Sequence, residues 1–90
     1  MLFRSVSTAC ASGLSAIVEA FKWIRLGEAD VAIAGGTEDV YNPLYLNSSL
    51  RLQAMSSKVY ASASMSSRPF DKDRSGFILG EGSGIVILES

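Results

Sequence analysis

Among the side chains suited to attacking a carbonyl carbon, this 90-residue chain offers a single thiol, Cys10, and it contains no histidine to serve as a base. Cys10 lies within Thr8-Ala9-Cys10-Ala11-Ser12-Gly13, small residues at the point where a helix is expected to begin. The unpaired N–H groups and dipole of a helix N-terminus attract negative charge. Small neighbours leave a substrate room to approach the sulfur, and Gly13 allows the helix start to sit close against a strand, as in other strand-to-helix nucleophile turns. A lone cysteine among alanines serves equally well as a small core hydrophobe. These residues by themselves leave both readings open.

The remaining polar clusters carry weaker chemistry. Gly35 and Gly36 in "AGGTE" lack the lysine or the glycine spacing of a phosphate loop. They are read instead as letting the chain leave a strand beside a neighbouring backbone. "FDKDRSG" (Phe70 to Gly76) reads as a charged surface turn. Glu81, between Gly80 and Gly82, is a solvated acid or the partner of a nearby base. One cysteine, no histidine and scattered acids give no metal site.

The elements that must position Cys10 follow from periodicity. Leu14, Ile17, Val18, Phe21 and Ile24 fall on one face of a helix over about Gly13 to Leu26, with Ser12 as its cap and Gly27 at its end. This helix is apolar around most of its girth and is expected to be largely buried. "ADVAIAGG" (Ala29 to Gly36) reads as a strand covered on both faces, as in a parallel sheet. Asn42-Pro43 predicts the cap and first position of a second helix, "PLYLNSSLRLQAM". Ser56 to Ser67 is a surface loop. "FIL" and "IVIL" read as strands separated by a glycine turn. The order of elements is α/β. Its apolar strands want more partners than the chain supplies, as in a piece of something larger.

Composition narrows the class. A net charge of -1 argues against nucleic acid as a partner, because a polyanion needs a basic face. No stretch approaches the roughly 20 apolar residues of a membrane helix, so no membrane span is expected. A single cysteine cannot form an internal disulfide and suits a reducing compartment. Met1 to Arg4 is read as an arbitrary start or leader remnant, and residues 5–90 as ordered structure.

Three segments are more specific together than apart. "VSTACASG" (Val6 to Gly13), "ADVAIAGGTE" (Ala29 to Glu38) and "RPFDKDRSGFILGEGSGIVILE" (Arg68 to Glu89), in this order and at these intervals, resemble the β-ketoacyl-acyl carrier protein synthases, the condensing enzymes of fatty acid synthesis. The resemblance covers Ser5 to Glu89 and corresponds to the later part of the N-terminal half of such an enzyme. It implies a partial thiolase-like fold, part of a layered α-β-α sandwich with a largely parallel mixed sheet. It makes Cys10 the acyl-accepting nucleophile, with its own backbone N–H as oxyanion donor. No cofactor is implied, since substrates arrive on the phosphopantetheine of acyl carrier protein. The implied partners are acyl carrier protein and, in the full-length enzyme, a second copy. The implied location is cytoplasmic or organellar (mitochondrial matrix or plastid), not secreted.

Departures from the family's pattern bear on activity. The family also uses two histidines, a lysine and a gating phenylalanine from its second half, and this chain has no histidine. The isolated chain is therefore expected not to condense anything. Ser75 stands where the family commonly has aspartate. Rival readings are a thiolase acting on coenzyme A thioesters, a polyketide synthase domain, and a truncated, non-catalytic dimerisation module. The Arg68 to Gly82 segment argues against thiolase.

Overall fold

A computed structural model describes residues 3–90. Met1 and Leu2, half of the segment read as a leader remnant, lie outside the described residues. The chain divides into two units, residues 3–38 with 82–90, and residues 39–81.

The first unit is one helix on a two-stranded sheet. Helix α1 spans Ser12–Arg25, one residue earlier at each end than its periodicity suggests. Its cap position is Ala11, not Ser12, whose hydroxyl turns back toward the preceding loop. At the other end Gly27 takes φ 71°, donates to the Ile24 carbonyl at 3.1 Å, and Glu28 donates to the Trp23 carbonyl at 2.9 Å. These two bonds satisfy carbonyls that the last turn would otherwise leave orphaned. Arg4 lies 4.9 Å over the Trp23 ring and 3.7 Å from Glu19, so Arg4 is tied to α1.

Strands β1, Val31–Glu38, and β2, Gly82–Glu89, pair antiparallel, Ile33 opposite Ile87 and Gly36 opposite Gly84. The α/β composition thus stands, and the strands present contribute an antiparallel pair, which a mixed sheet can include. Gly35 and Gly36 do not end the strand. They lie inside it, and β1 runs on to Glu38.

Strand alternation places Ala32, Ala34 and Gly36 on the side that meets α1, where a Cβ on Gly36 would stand 3.0 Å from Gly13 Cα. Backbone meets backbone there. The opposite side carries Val31, Ile33, Ile85 and Ile87, all exposed, Ile33 at 74%. Two-faced burial of β1 is therefore corrected: α1 covers one face and nothing among the described residues covers the other. Helix α1 is likewise less buried than its girth suggests, with only Ala20 fully inside.

The second unit opens with helix α2, Pro43–Arg51, capped as expected by Asn42, whose side chain accepts from the Tyr45 amide at 2.9 Å. It stops four residues short of Met55, because Gln53 turns left-handed at φ 55°. The loop that follows includes a 3-10 turn, Ala63–Met65. "FIL" is not a strand. Phe77 alone makes a parallel bridge with Met55, donating to Ala54 and accepting from Ser56. Gly76, at φ 138°, passes where a Cβ would meet the Met55 and Ser56 backbone at 2.5 Å.

A Cβ at Gly35 would collide with the Gly84 carbonyl, whereas one at Gly84 meets nothing within 4 Å. Gly35→Ala is accordingly expected to lower stability by about 1–3 kcal/mol, the usual cost of forcing atoms into filled space. Gly84→Ala should stay within about 0.5 kcal/mol of the parent. Urea unfolding of the two variants measures the difference, and equal midpoints would contradict it.

Candidate functional site

Cys10 is free and exposed, in the turn that delivers the chain into α1. The turn is held by a short circuit of hydrogen bonds. The Thr8 amide donates to Ser12 Oγ at 2.9 Å, and the Ser12 hydroxyl donates to the Ala9 carbonyl at 2.6 Å. The Ser12 amide donates to the same carbonyl at 3.1 Å, and the Ala11 amide to the Thr8 carbonyl at 3.3 Å. Thr8 Oγ1 and Ser15 Oγ lie 2.7 Å apart. Inside this circuit Ala9 adopts φ 53°, a left-handed conformation that costs an L residue with a Cβ roughly 1–2 kcal/mol. Among the described residues the Cys10 amide donates to no acceptor.

The arrangement presents a thiol and an uncommitted N–H from one residue, on an exposed turn anchored by the Gly13–Gly36 contact. A shallow cavity of about 290 Å³ lies beside it, lined by Gly13, Ile17, Gly36 and Thr37 with the start of β2. Sequence reasoning placed Cys10 and Gly13 correctly relative to the helix but missed Ala9. Alanine carries no signal for a positive φ.

Glu81 is exposed, in keeping with a solvated acid, and among the described residues it pairs with no base. Its Oε1 accepts from the Tyr41 amide at 2.9 Å and the Val40 amide at 3.1 Å. Val40 is 1% exposed, so its N–H needs an internal acceptor, and Glu81 supplies it. The Tyr41 hydroxyl adds a bond to the Leu79 carbonyl at 2.8 Å. The Tyr41 amide, foremost, holds the Glu81 carboxyl below its ordinary range, whereas the hydrogen bond Asp39 donates to Glu81, and the charge of Glu81, push Asp39 up. Two acids thus share one place, and one of them keeps its proton longer.

"FDKDRSG" is a charged turn, as expected, but an organised one. Asp71 accepts from the Asp73 amide at 2.7 Å and from Arg68 at 3.1 Å, which together lower its pKa, the amide most. Arg68 and Lys58 lie 5.1 and 5.0 Å over the Tyr60 ring. Ser75 fills its position with hydroxyl contacts to Ser56 and Tyr60. Phe70, at φ 63°, is 97% exposed at the tip. Among the described residues no group of His, Cys, Asp or Glu comes together to hold a metal, and no helix is long and apolar enough to cross a membrane.

The family model for the N-terminal domain of β-ketoacyl synthase matches residues 4–90. The chain belongs to the β-ketoacyl synthase family. The mitochondrial 3-oxoacyl-[acyl-carrier-protein] synthase of Arabidopsis thaliana is 48% identical over 82 residues, 91% of this chain and 18% of that protein. The 3-oxoacyl-[acyl-carrier-protein] synthase 2 of Rhizobium meliloti is 46% identical over 86 residues, 96% of this chain and 20% of that protein. Among solved structures, a type II polyketide synthase acyl carrier protein in complex with its ketosynthase bound to the hexaketide matches with a TM-score of 0.91. It is 42% identical and covers 94% of this chain and 21% of its own. The β-ketoacyl synthase chain described here thus spans about one fifth of the length of these relatives.

The carboxyl pair sets a pH response in opposed parts. Glu81, with its folded pKa lowered, adds stability above its unfolded value, 4.5, that is lost as pH falls through the folded pKa. Asp39, raised, adds stability below its unfolded value, 3.8, that is lost as pH rises through its folded pKa. Protonating Glu81 should release the Val40 and Tyr41 amides. Amide exchange, corrected for its intrinsic pH dependence, should show both losing protection as pH falls below 4.5 and through the lowered folded pKa. Protection unchanged down to full protonation of both acids would contradict the assignment.

Proposed function

We propose that this chain is part of a β-ketoacyl-acyl carrier protein synthase of fatty acid synthesis and that Cys10 is its acyl-accepting nucleophile. The observation that carries the reading is the family match over nearly the whole chain, with Cys10 on the turn into α1. The Cys10 sulfur attacks the carbonyl of an acyl thioester borne on the phosphopantetheine arm of acyl carrier protein. A new C–S bond forms, the pantetheine sulfur leaves and takes a proton, and the developing oxyanion is met by the Cys10 N–H. Malonyl-carrier protein then loses carbon dioxide, and the resulting carbanion displaces the acyl group from Cys10 as β-ketoacyl product. The acyl groups are substrates on the carrier protein, and the reading involves no resident cofactor.

Condensation also asks for groups that stabilise the enolate, for which the resemblance implies two histidines, and this chain has none. The isolated chain is accordingly capable at most of the acyl-transfer half-reaction. In the whole enzyme the strand pair joins a largely parallel mixed sheet within a layered α-β-α sandwich, as a homodimer in cytoplasm, mitochondrial matrix or plastid. The polyketide ketosynthase neighbour at 42% identity favours one second reading, the same condensation on a polyketide chain.

Incubated with an acyl-pantetheine thioester, the chain should gain one acyl mass, and Cys10→Ala should gain none. An adduct elsewhere, or none at all, would remove Cys10 from the acceptor role. With malonyl-carrier protein added, no β-ketoacyl product should form. Turnover by the purified chain would overturn its assignment as half-competent.

A further inference from the structure

We infer that Ser12 is a positioning residue for Cys10, acting as a latch that holds Ala9 left-handed and thereby keeps the Cys10 N–H turned away from internal acceptors. The inference rests on the acyl-acceptor reading of Cys10 and adds to it the side chain that shapes the turn.

Ser12 occupies the first helical position but does not serve the helix. Its Oγ bridges backward, accepting from the Thr8 amide at 2.9 Å and donating to the Ala9 carbonyl at 2.6 Å. One side chain thereby spans from the Ser7–Thr8 peptide to the Ala9–Cys10 peptide, bracketing Ala9, the residue whose φ of 53° turns the chain just before Cys10. A second bond to the Ala9 carbonyl comes from the Ser12 amide. The left-handed basin is unfavourable for alanine, so it persists only where its surroundings over-determine it. Were Ala9 to relax, the Cys10 peptide would rotate with it. Its N–H, which has no acceptor among the described residues, would lose the direction that an oxyanion donor needs. The hydroxyl has no evident purpose in the helix itself, since alanine is the better helix former at this position.

Ser12→Ala therefore separates positioning from folding. Two reactions at one sulfur report on it: acyl transfer from an acyl-pantetheine thioester, which forms an oxyanion, and alkylation by iodoacetamide, which does not. Ser12→Ala should slow acyl transfer about tenfold more than alkylation, below the hundredfold or more typical of deleting an oxyanion donor outright. Ser12→Thr, which keeps the hydroxyl, should stay within about twofold of the parent, and Ala9→Gly should restore part of the loss in the Ser12→Ala chain, because glycine takes positive φ freely. Amide exchange resolved to single residues should show Thr8 protected in the parent and unprotected in Ser12→Ala. Equal slowing of both reactions, no recovery with Gly at position 9, or a Thr8 amide already unprotected in the parent would each overturn the latch. If the parent chain takes no acyl group, the acceptor reading falls, and Thr8 exchange alone then decides the latch.

Discussion

The contact between the start of α1 and the middle of β1 is made without side chains, and the geometry of the Cys10 turn depends on it. A Cβ on Gly36 would stand 3.0 Å from Gly13 Cα and press the helix away from the sheet, whereas one on Gly13 would meet Gly36 Cα at an ordinary 3.5 Å. Because Gly13 lies in the first turn of the helix, this contact also anchors the loop that delivers Cys10. Ala32 and Ala34, on the same side as Gly36, extend the low profile along the strand. Small residues give up buried area, and in return the helix sits near enough to fix a turn at its N-terminus. The first unit thus trades core volume for position, in keeping with Ala20 being its one buried residue among those described.

Residues 39–81 are closed at their base on a different principle. There the constraint is the buried amide of Val40, which must be satisfied, and a carboxylate placed immediately before β2 does it. Glu81 thereby serves the backbone and not a reacting group. The acid beside it, Asp39, makes the closure sensitive to proton count. Asp71 performs a similar task in its turn, collecting a backbone N–H and an arginine.

Much of the fold was legible where a residue type carries its own conformational signature. Gly27 and Asn42-Pro43 marked a helix end and a helix start, and Leu14 through Ile24 marked the apolar face of the helix that Gly27 ends. The misreadings fall where the signature is ambiguous or belongs to a partner. Gly35 and Gly36 look the same whether they end a strand or lie beneath another backbone, and only the positions of Gly84 and Gly13 separate the two. "FIL" has strand composition, yet Phe77 finds only a single bridge with Met55. Glu81's partners are two amides, which leave no mark in the sequence. For the candidate site, small residues around Cys10 left nucleophile and spacer equally open, and the combination of three segments tipped the reading. The left-handed Ala9 was invisible, because the side chain that stabilises it sits three residues on and resembles an ordinary helix cap.

The uncovered side of the strand pair bears on how the chain behaves in a crowded cell. Ile33, Ile85 and Ile87 stand in solvent on a pair of strands, and "GIVIL" is β-branched and uncharged. Such a segment is a template for pairing with like segments, and the only charges in β2 come at its end, with Glu89. Until that side is covered, second-order encounter between exposed strands is open to these isoleucines, and it competes with whatever comes to cover them. The outcome turns on chain concentration and on how soon that side is covered, largely independent of how well α1 sits on its glycines.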